Sequence, residues 1–486
     1  MKKSVLTLLL LISVAGAFCQ NLHATLSGDF TQLRDQDTVR LLVYKYGEFP
    51  YDIKELNSTY NAPAANKHFE INIPLSEKRP YECRIIIPRL RITANIIIIE
   101  PGDRLHISGT DISINAMSGK GAEKNNILGK LNMIWNSPGL KAAETAPGAK
   151  GASGLAAIID NSRSICDEGN TYIESHKIHG DPAATRLLHA YMLGPIWEIY
   201  NTLYWYSNVG YSDGQKDSIQ KILKTRWLPF RSKYFAALDQ QTAVNDFHYA
   251  QNMIMNYGLK QVIENQNFNA LKDNEDLREK YIFFKTHYNG LLREKLLTLL
   301  ILSAPKSDQV AYCYRDARQF IKNKEFINTL DVHCQCLPGS PAFNFALLDS
   351  NRIIHHLSDY RGKVVVFDFW FTGCGNCREL TPKLKLVEER FKNDKRVQFI
   401  SISSDKNIEL WKSSIRSGLY TTSKNEVNLY TSGHGTADPL YKKTNTYSSP
   451  TLKLVDANGN WCSNPVDCRF DDGKDLIAKI ETALGD

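Results

Sequence analysis

The sequence predicts a multidomain protein with three folded regions: an N-terminal all-β sandwich, an α-helical middle domain and a C-terminal α/β domain. Short β-rich runs separated by prolines fill the first region. Apolar residues then recur at helical spacing, and strands alternate with helices after a Pro/Gly linker. The predicted domains cover residues 20–115, 116–330 and 337–486, and they follow a separate segment, residues 1–19.

This leading segment has the pattern of a secretory signal peptide. The basic pair Lys2–Lys3 precedes an apolar run, Val5–Val14, and the small residues Ala15–Ala17. Cleavage is expected after the small residues, or alternatively after Cys19, where the large preceding side chain disfavours lipidation. The apolar run is too short for a membrane-spanning helix. We therefore expect an exported protein in the periplasm of a Gram-negative bacterium, with membrane association left open.

The overall composition is that of a globular protein. Hydrophobic residues make up 43% and charged residues 23% of the 486 positions. The net charge of +7 is not concentrated in an arginine-rich stripe with interleaved aromatic residues. We therefore expect no nucleic-acid partner.

The first domain is predicted to contain several short antiparallel strands. A tight turn at Glu100–Asp103 combines a proline with a glycine that tolerates positive φ. Strands without a long intervening helix favour a β-sandwich. The clearest predicted strands are Thr38–Tyr44, His68–Ile73, Arg84–Ile87, Asn95–Ile99 and Leu105–Ile107.

The middle domain is predicted to be helical from about residue 119 to 324. Leucines recur at helical spacing between Leu292 and Leu300. A group of aromatic residues is predicted to pack in the core, with a surface for a client protein as the alternative. These residues are Trp197, Tyr200, Tyr204, Trp205 and Tyr206.

The C-terminal domain begins after the linker Leu337–Pro341 and alternates strands with helices. Such alternation predicts a sheet with ligands at the carboxyl ends of its parallel strands. The predicted strands are Val364–Trp370, Val397–Ser403 and Thr451–Val455, and the predicted helices are Cys377–Phe391, Ile408–Ser417 and Asp475–Leu484.

Cys374 and Cys377 lie between the first of these strands and its helix, which is the layout of a redox dithiol. Unpaired N–H groups and the helix dipole favour an anion at a helix start, so Cys374 should ionise more readily than a free cysteine. A thiolate there can attack a disulfide, and Cys377 can then resolve the mixed disulfide.

The motif Asp–Phe–Trp–x–x–x–Cys–x–x–Cys, from Asp368 to Cys377, resembles the active-site strand and loop of the thioredoxin superfamily. The approach Leu357–Lys363 is more specific and resembles the exported TlpA/ResA-like thiol–disulfide reductases. The resemblance covers about the last third of the chain. It predicts a thioredoxin fold for residues 337–486. The end of the first domain, Glu100–Gly109, resembles the small β-domain that precedes many exported thioredoxin-like domains.

The resemblance also implies roles for individual residues. Asp368 takes the position of a buried carboxylate that assists proton transfer from the resolving cysteine. Ser449 and Pro450 take the position of the cis-proline loop and, with Gly375 and Asn376, are expected to bind substrate. The only redox group implied is the Cys374–Cys377 disulfide, with no other cofactor and no metal. The implied partners are disulfide-containing client proteins, such as apocytochrome c, and a membrane thiol-transfer reductant.

Two departures from the family pattern affect these expectations. Gly373 replaces the tryptophan that usually precedes the first cysteine, which predicts a less shielded dithiol and a more mobile loop. The central dipeptide Gly375–Asn376 lacks the common proline. Because that dipeptide influences the reduction potential, the sequence leaves open whether the protein reduces, oxidises or isomerises disulfides.

The other cysteines suggest structural roles. Cys462 and Cys468 flank a short loop and are predicted to form a structural disulfide, with zinc binding together with Cys374 and Cys377 as a disfavoured alternative. A bridge between Cys334 and Cys336 would be strained, so free thiols or a partner such as Cys313 are expected. Cys83 and Cys166 are predicted to be buried and inert.

Two other function classes compete with a disulfide oxidoreductase. A thiol peroxidase would resemble peroxiredoxins, which have Pro–x–x–x–Thr–x–x–Cys; here Thr372 lies one residue too close to Cys374 and the proline is missing. A binding or scaffold protein with a vestigial thioredoxin domain is disfavoured by the intact motif. A copper chaperone would need one more residue between the cysteines.

Overall fold

A computed structural model describes residues 22–47, 56–90, 92–93, 96–109, 114–136, 152–176, 178, 182–209, 212–235, 238–271, 276–304, 309–423, 425–446 and 448–485. The chain divides into two compact units. The first comprises Met1–Ser307 and Ile321–Phe326, and the second comprises Asp308–Phe320 and Ile327–Asp486. The predicted signal peptide lies outside the described residues.

The N-terminal part of the first unit is a β-sandwich of two sheets. One sheet has the order β4-β1-β8-β9, and the other has the order β3-β2-β5-β6 with β7 paired to β5. The strands are β1 His23–Phe30, β2 Thr38–Tyr44, β3 Asn57–Pro63, β4 His68–Pro74, β5 Tyr81–Ile87, β6 Ile92–Thr93, β7 Ile97–Ile99, β8 Arg104–Gly109 and β9 Ile114–Lys120.

Alternating apolar residues of the two sheets meet in one core. In β4, for example, Phe69, Ile71 and Ile73 are buried while the residues between them are exposed. The strand pairs are antiparallel except for β1 and β8, which run parallel with Leu26 opposite Leu105. A parallel pair requires a long connection. The exclusively antiparallel arrangement expected from the sequence is therefore wrong for this one pair.

Helix α1 (Ala122–Trp135) covers β7 with side chains that satisfy buried polar groups. The Asn125 side chain accepts a hydrogen bond from the Ile98 N–H at 2.7 Å and donates one to the Ile98 carbonyl at 2.8 Å. The Lys124 ammonium lies 3.0 Å from a carboxylate oxygen of Glu100 and 2.7 Å from one of Asp103. Isoleucines of β7 and α1 add apolar contacts, so the helical region and the sandwich share a core.

The remaining elements of the middle region are helical. They are α2 Ala152–Ser175, α3 Pro182–Tyr191, α4 Ile196–Val209, α5 Asp213–Ile222, a π-helical turn Leu223–Trp227, α6 Leu228–Phe235, α7 Gln240–Asn245, α8 Phe247–Asn265, α9 Leu277–His287, α10 Gly290–Ser303, α11 Val310–Phe320 and α12 Lys324–His333. The predicted leucine stripe is the buried face of α10. Trp197 is exposed, whereas Tyr200 is buried, so the predicted aromatic core is only partly correct for the side chains described.

The C-terminal domain is built on a six-stranded sheet with the order β11-β10-β14-β13-β12-β15. Strand β12 lies parallel to β13 and antiparallel to β15. The strands are β10 Ala346–Asp349, β11 Ile354–His356, β12 Val364–Trp370, β13 Val397–Ser403, β14 Val427–Tyr430 and β15 Thr451–Val455. The helices are α13 Gly375–Phe391, α14 Ile408–Ser417, α15 Pro439–Lys443, α16 Cys468–Asp471 and α17 Lys474–Leu484.

Both faces of this sheet are covered, which explains why all seven residues of β12 are buried. Alternate residues of the strand therefore face opposite layers. Val364 and Val366 pack with the apolar faces of α13 and α17. Phe367 and Phe369 pack on the other side with Tyr441 of α15 and Trp461.

The predicted fold class is confirmed: a β-sandwich, a helical region and a C-terminal thioredoxin-like α/β domain occur in this order. The boundaries at residues 115, 330 and 337 stay predictions. Within the part of the chain that the structure describes, no helix combines the length and apolarity needed to span a bilayer.

Candidate active site

The cysteine pair lies where the buried strand β12 gives way to helix α13. Cys374 is the N-cap residue of α13, and Cys377 lies in its first turn. The Cys377 N–H donates a hydrogen bond to the Cys374 sulfur at 3.1 Å. In the reduced protein the same N–H group and the helix dipole would favour the thiolate of Cys374.

The two cysteines form a disulfide in this structure. Their α-carbons are 5.3 Å apart, within the range that a disulfide requires. Cys374 is 5% and Cys377 2% exposed, whereas the residues between them, Gly375 and Asn376, are exposed. A partner therefore meets the central dipeptide before it reaches either sulfur.

The loop before β15 faces the disulfide. The peptide bond between Ser449 and Pro450 is cis, as the resemblance implies. The Ser449 carbonyl oxygen lies 3.8 Å from the Cys374 sulfur. A cleft of about 270 Å³ adjoins Pro450, and Leu380 and Leu452 contribute to its apolar lining. The cis-proline loop thus contacts Cys374 through Ser449 and borders the cleft through Pro450.

Asp368 lies in the middle of β12, on the face covered by α13. It is 4% exposed, and its Oδ1 accepts no hydrogen bond from any described group. Burial, with a smaller contribution from the negative charge of Asp467, raises the pKa of Asp368 to about 7. A carboxyl group with this pKa can accept and release a proton near neutral pH.

Gly373 contacts an aromatic side chain, and the expected mobility of its loop stays a prediction. Its φ of +95° is one that residues with a Cβ rarely adopt, which is why tryptophan is disfavoured in this loop conformation. The Gly373 N–H donates a hydrogen bond to the Tyr420 hydroxyl at 2.9 Å. The Tyr420 ring stacks on Trp370, with centroids 4.8 Å apart, and lies in the same apolar cluster as both cysteines. Tyr420 therefore provides aromatic cover close to the dithiol.

A second set of hydrogen bonds fixes Thr372. Its N–H and hydroxyl donate to the two oxygens of Asp405 at 2.9 and 2.7 Å. The same carboxylate accepts a bond from the Ser403 hydroxyl at 2.9 Å. Ser403 ends β13, the parallel neighbour of β12, so this network ties the cysteine loop to the adjacent strand.

Cys462 and Cys468 are free thiols, so the predicted structural disulfide between them is wrong. Cys462 is held by a backbone hydrogen bond from its N–H to the Leu454 carbonyl of β15. Cys468 begins α16 and is fully buried against Gly473 and Val387.

The other described cysteines are also not disulfide-bonded: Cys83, Cys166, Cys313, Cys334 and Cys336. Burial raises the pKa of Cys334 to about 12 and of Cys336 to about 11, which disfavours a nucleophilic role at neutral pH. Among the residues that the structure describes, no cluster of three His, Cys, Asp or Glu side chains is arranged for a metal ion.

The sequence analysis missed Tyr420 and Asp405. Asp405 follows the carboxyl end of a parallel strand, where functional residues of such sheets collect, so its position offered a signal. Tyr420 lies in a loop after α14, and nothing in the local pattern connects it with Gly373.

Comparison with known proteins shows which superfamily the C-terminal domain resembles. A thioredoxin-like family model matches residues 362–461, which include the disulfide and the cis-proline. Together with the sheet topology, this match identifies the region as a thioredoxin-superfamily domain. No curated protein matches the chain.

Similar solved structures each cover about a third of the chain. The thioredoxin domain of a thiol-disulfide oxidoreductase from Bacteroides vulgatus is 26% identical and covers 30% of this chain and 97% of its own, with a TM-score of 0.26. A thiol:disulfide interchange protein from Bacteroides sp. is 28% identical and covers 31% of this chain and 93% of its own, also with a TM-score of 0.26.

Proposed function

We propose that this protein is an exported thiol–disulfide oxidoreductase that reduces disulfides in client proteins. The observation that carries the proposal is the Cys374–Cys377 disulfide at the start of α13, next to a cis-proline loop. The buried carboxyl group of Asp368 supplies a proton acceptor in the same domain.

In the first step, the Cys374 thiolate of the reduced protein attacks one sulfur of a client disulfide. A mixed disulfide forms, and the other client sulfur leaves as a thiolate that takes a proton from water. The N–H group of Cys377 stabilises the attacking sulfur before the reaction. Pro450 and Ser449, with the exposed Gly375 and Asn376, are proposed to hold the client backbone beside Cys374.

In the second step, Cys377 attacks the Cys374 sulfur of the mixed disulfide. Asp368 accepts the Cys377 proton, and the client departs with its second sulfur reduced. Two electrons have then moved to the client, and the protein is left with the disulfide present in this structure. A second dithiol must reduce it again, for which we propose a membrane thiol-transfer protein.

The location and the clients are proposed from the N-terminal sequence and from the resemblance. The signal-peptide pattern of residues 1–19 supports export to the periplasm. Disulfides persist in that compartment, so a reductase there has protein substrates. Clients with paired cysteines, including apocytochrome c in cytochrome c maturation, are the proposed targets.

Reduction of insulin disulfides in the presence of dithiothreitol tests the reaction. The wild-type protein should accelerate insulin precipitation, and Cys374→Ser should fall to the uncatalysed rate because the nucleophile is lost. Cys166→Ser is a matched control, since this thiol is buried in the first unit. Equal activity of Cys374→Ser and wild type would refute the proposal, and peroxide consumption without a disulfide client would favour a thiol peroxidase.

Replacement of the resolving cysteine identifies the client. Cys377→Ser should accumulate a mixed disulfide through Cys374, because the second step is blocked. The trapped partner can be released with reductant and identified by mass spectrometry from periplasmic extract. Recovery of the same proteins with the Cys374→Ser, Cys377→Ser double variant would show that the capture is non-covalent and would count against the mechanism.

A further inference from the structure

A second concave site lies in the first unit, away from the cysteine pair. The π-helical turn Leu223–Trp227, α6, α8 and the end of α9 surround a cavity of about 260 Å³. Trp227 and Tyr257 contribute its buried aromatic surface, and Phe283 and Tyr288 contribute half-buried rings. Pockets for drug-sized ligands span about 300–1,000 Å³, so this cavity suits a small molecule.

The backbone at this cavity departs from regular helix. A π-helical turn is rare, and such turns occur frequently at functional sites. Here the turn ends at Trp227 and leads directly into Leu228, so it sets the position of two residues that line the cavity. The irregular turn is thus part of the wall.

Two polar groups of the lining lack partners. The amide oxygen of Asn256 is buried and accepts no hydrogen bond from a described group. Such an acceptor is costly to bury unless a donor reaches it. Arg231 is exposed, and no described carboxylate forms an ion pair with it, whereas the neighbouring Lys260 lies 3.9 Å from Glu264. The cavity therefore offers an acceptor and a positive charge that are both unused.

Arg231 is exposed to solvent and also lines the cavity. Arg231 and Tyr288 line the same cavity, and the positive charge of Arg231 partly opposes the rise that burial causes in the pKa of the Tyr288 hydroxyl. An anion bound by Arg231 would therefore lie next to the aromatic surface.

We propose that this cavity binds a small planar aromatic carboxylate. The aromatic ring packs among Trp227, Tyr257 and Phe283, where flat rings gain contact area and edge-to-face interactions. The carboxylate pairs with Arg231, whose fork of N–H groups matches two carboxylate oxygens. An N–H or O–H group on the ligand ring donates to the amide oxygen of Asn256. The site is independent of the proposed dithiol chemistry.

Indole-3-acetate is the probe, because it combines a planar ring, one ring N–H group and one carboxylate. Calorimetric titration of the mature full-length protein should give saturable one-to-one binding. Arg231→Gln should weaken this binding at least tenfold and leave the neutral indole-3-acetamide unaffected. Lys260→Gln is the matched control, since its ammonium already has a carboxylate neighbour, and it should change the affinity less than twofold.

The role of the Asn256 amide oxygen as a hydrogen-bond acceptor is tested with a second variant and a second probe. Asn256→Leu should weaken indole-3-acetate at least fivefold, while 1-methylindole-3-acetate, which lacks the ring donor, should bind wild type and variant equally. Unchanged thermal unfolding of each variant excludes misfolding as the cause. No saturable binding to wild type, or equal affinity of wild type and Arg231→Gln, would overturn the proposal.

The same chemistry occurs at the C-terminus of a peptide that ends in tryptophan. A hexapeptide with this ending that competes with indole-3-acetate, and binds more tightly than the free acid, would identify the source of the ligand as a protein terminus. Weaker binding of the peptide would identify it as a free small molecule.

Discussion

Two buried charged residues, one in each unit, have opposite surroundings. Lys124 in the first unit is 3% exposed and contacts two carboxylates, Glu100 and Asp103. Asp368 in the second unit is 4% exposed, yet one of its carboxyl oxygens has no hydrogen-bond partner among the described groups. The two side chains are buried to a similar extent, but they differ in the polar groups that contact them.

The difference separates a structural charge from a reactive one. A buried ion with matched partners joins the elements that carry those partners, and removal of one partner is strongly destabilising. The buried carboxyl group of Asp368 has its pKa raised to about 7 and changes its protonation near neutral pH. A carboxyl group with a raised pKa in the same domain as a redox pair is therefore a functional candidate, whereas Lys124 links α1 to the turn before β8.

The largest effect is expected when the Lys124 ammonium group is removed, which tests whether this buried charge has a structural role. Lys124→Met should destabilise the first unit by about 3–5 kcal/mol, because the buried Asp103 carboxylate would lose the ammonium group that lies 2.7 Å from it. The urea midpoint of the wild-type and variant proteins measures the loss. Lys216→Met, at a lysine paired with an exposed Asp213, is the matched control and should cost less than about 1 kcal/mol. Equal midpoints for both variants would contradict the assignment.

The second prediction concerns stability and Asp368. Since its pKa is raised to about 7 in the folded protein, the folded state keeps a proton that the unfolded state loses above about pH 4. The stability contributed by this group therefore falls as the pH rises from about 4 to 7. Asp368→Asn should stabilise the oxidised protein by up to about 4 kcal/mol at pH 8 and by little at pH 4. A pH-independent difference between the two proteins would exclude this linkage.

The third prediction compares Asp368 with Lys124 by their effects on the rate of the redox reaction. Asp368→Asn should slow resolution of the mixed disulfide on the order of 100-fold near neutral pH, because the proton acceptor for Cys377 is removed. Stopped-flow measurement of client release from pH 5 to 9 checks this. The wild-type rate should rise through pH 7, and the variant should lack that step. Lys124→Met should retain the wild-type profile under conditions where it is folded.

The smallest effect is expected at Tyr420. Tyr420→Phe retains the ring on Trp370 but removes the acceptor for the Gly373 N–H. Loss of one hydrogen bond should slow attack by Cys374 about threefold to tenfold. The rate of iodoacetamide labelling of the reduced protein measures this, and the variant should be labelled more slowly than wild type at the same pH. Labelling identical to wild type would show that the hydroxyl does not position the loop.

The local sequence pattern was sufficient to predict many of the strands and helices of the C-terminal domain. Strands Val364–Trp370, Val397–Ser403 and Thr451–Val455 have the predicted bounds, because continuous apolar runs and flanking turns define them. The buried position of Asp368 followed from its place in such a run. Helix α13 begins two residues earlier than predicted, since Cys374 itself caps it.

Contacts between distant segments could not be predicted in the same way. Tyr420 follows α14, which packs on β14 through Trp411 and Tyr430, and its hydroxyl accepts a hydrogen bond from Gly373, 47 residues earlier in the chain. The backbone bond from Cys462 to Leu454 of β15 likewise joins separate segments. The parallel pairing of β1 with β8 likewise depends on how the whole sandwich closes. Sequence spacing contains none of this information.

The amide of Asn125 has a consequence for how this protein behaves among its neighbours. A short strand such as β7 would otherwise present the N–H and carbonyl of Ile98 to any extended chain nearby, which is how sheets recruit foreign strands. The Asn125 amide satisfies both groups, with the two hydrogen bonds that a neighbouring strand would otherwise make. At this residue the edge of β7 has no free backbone group to offer a foreign strand.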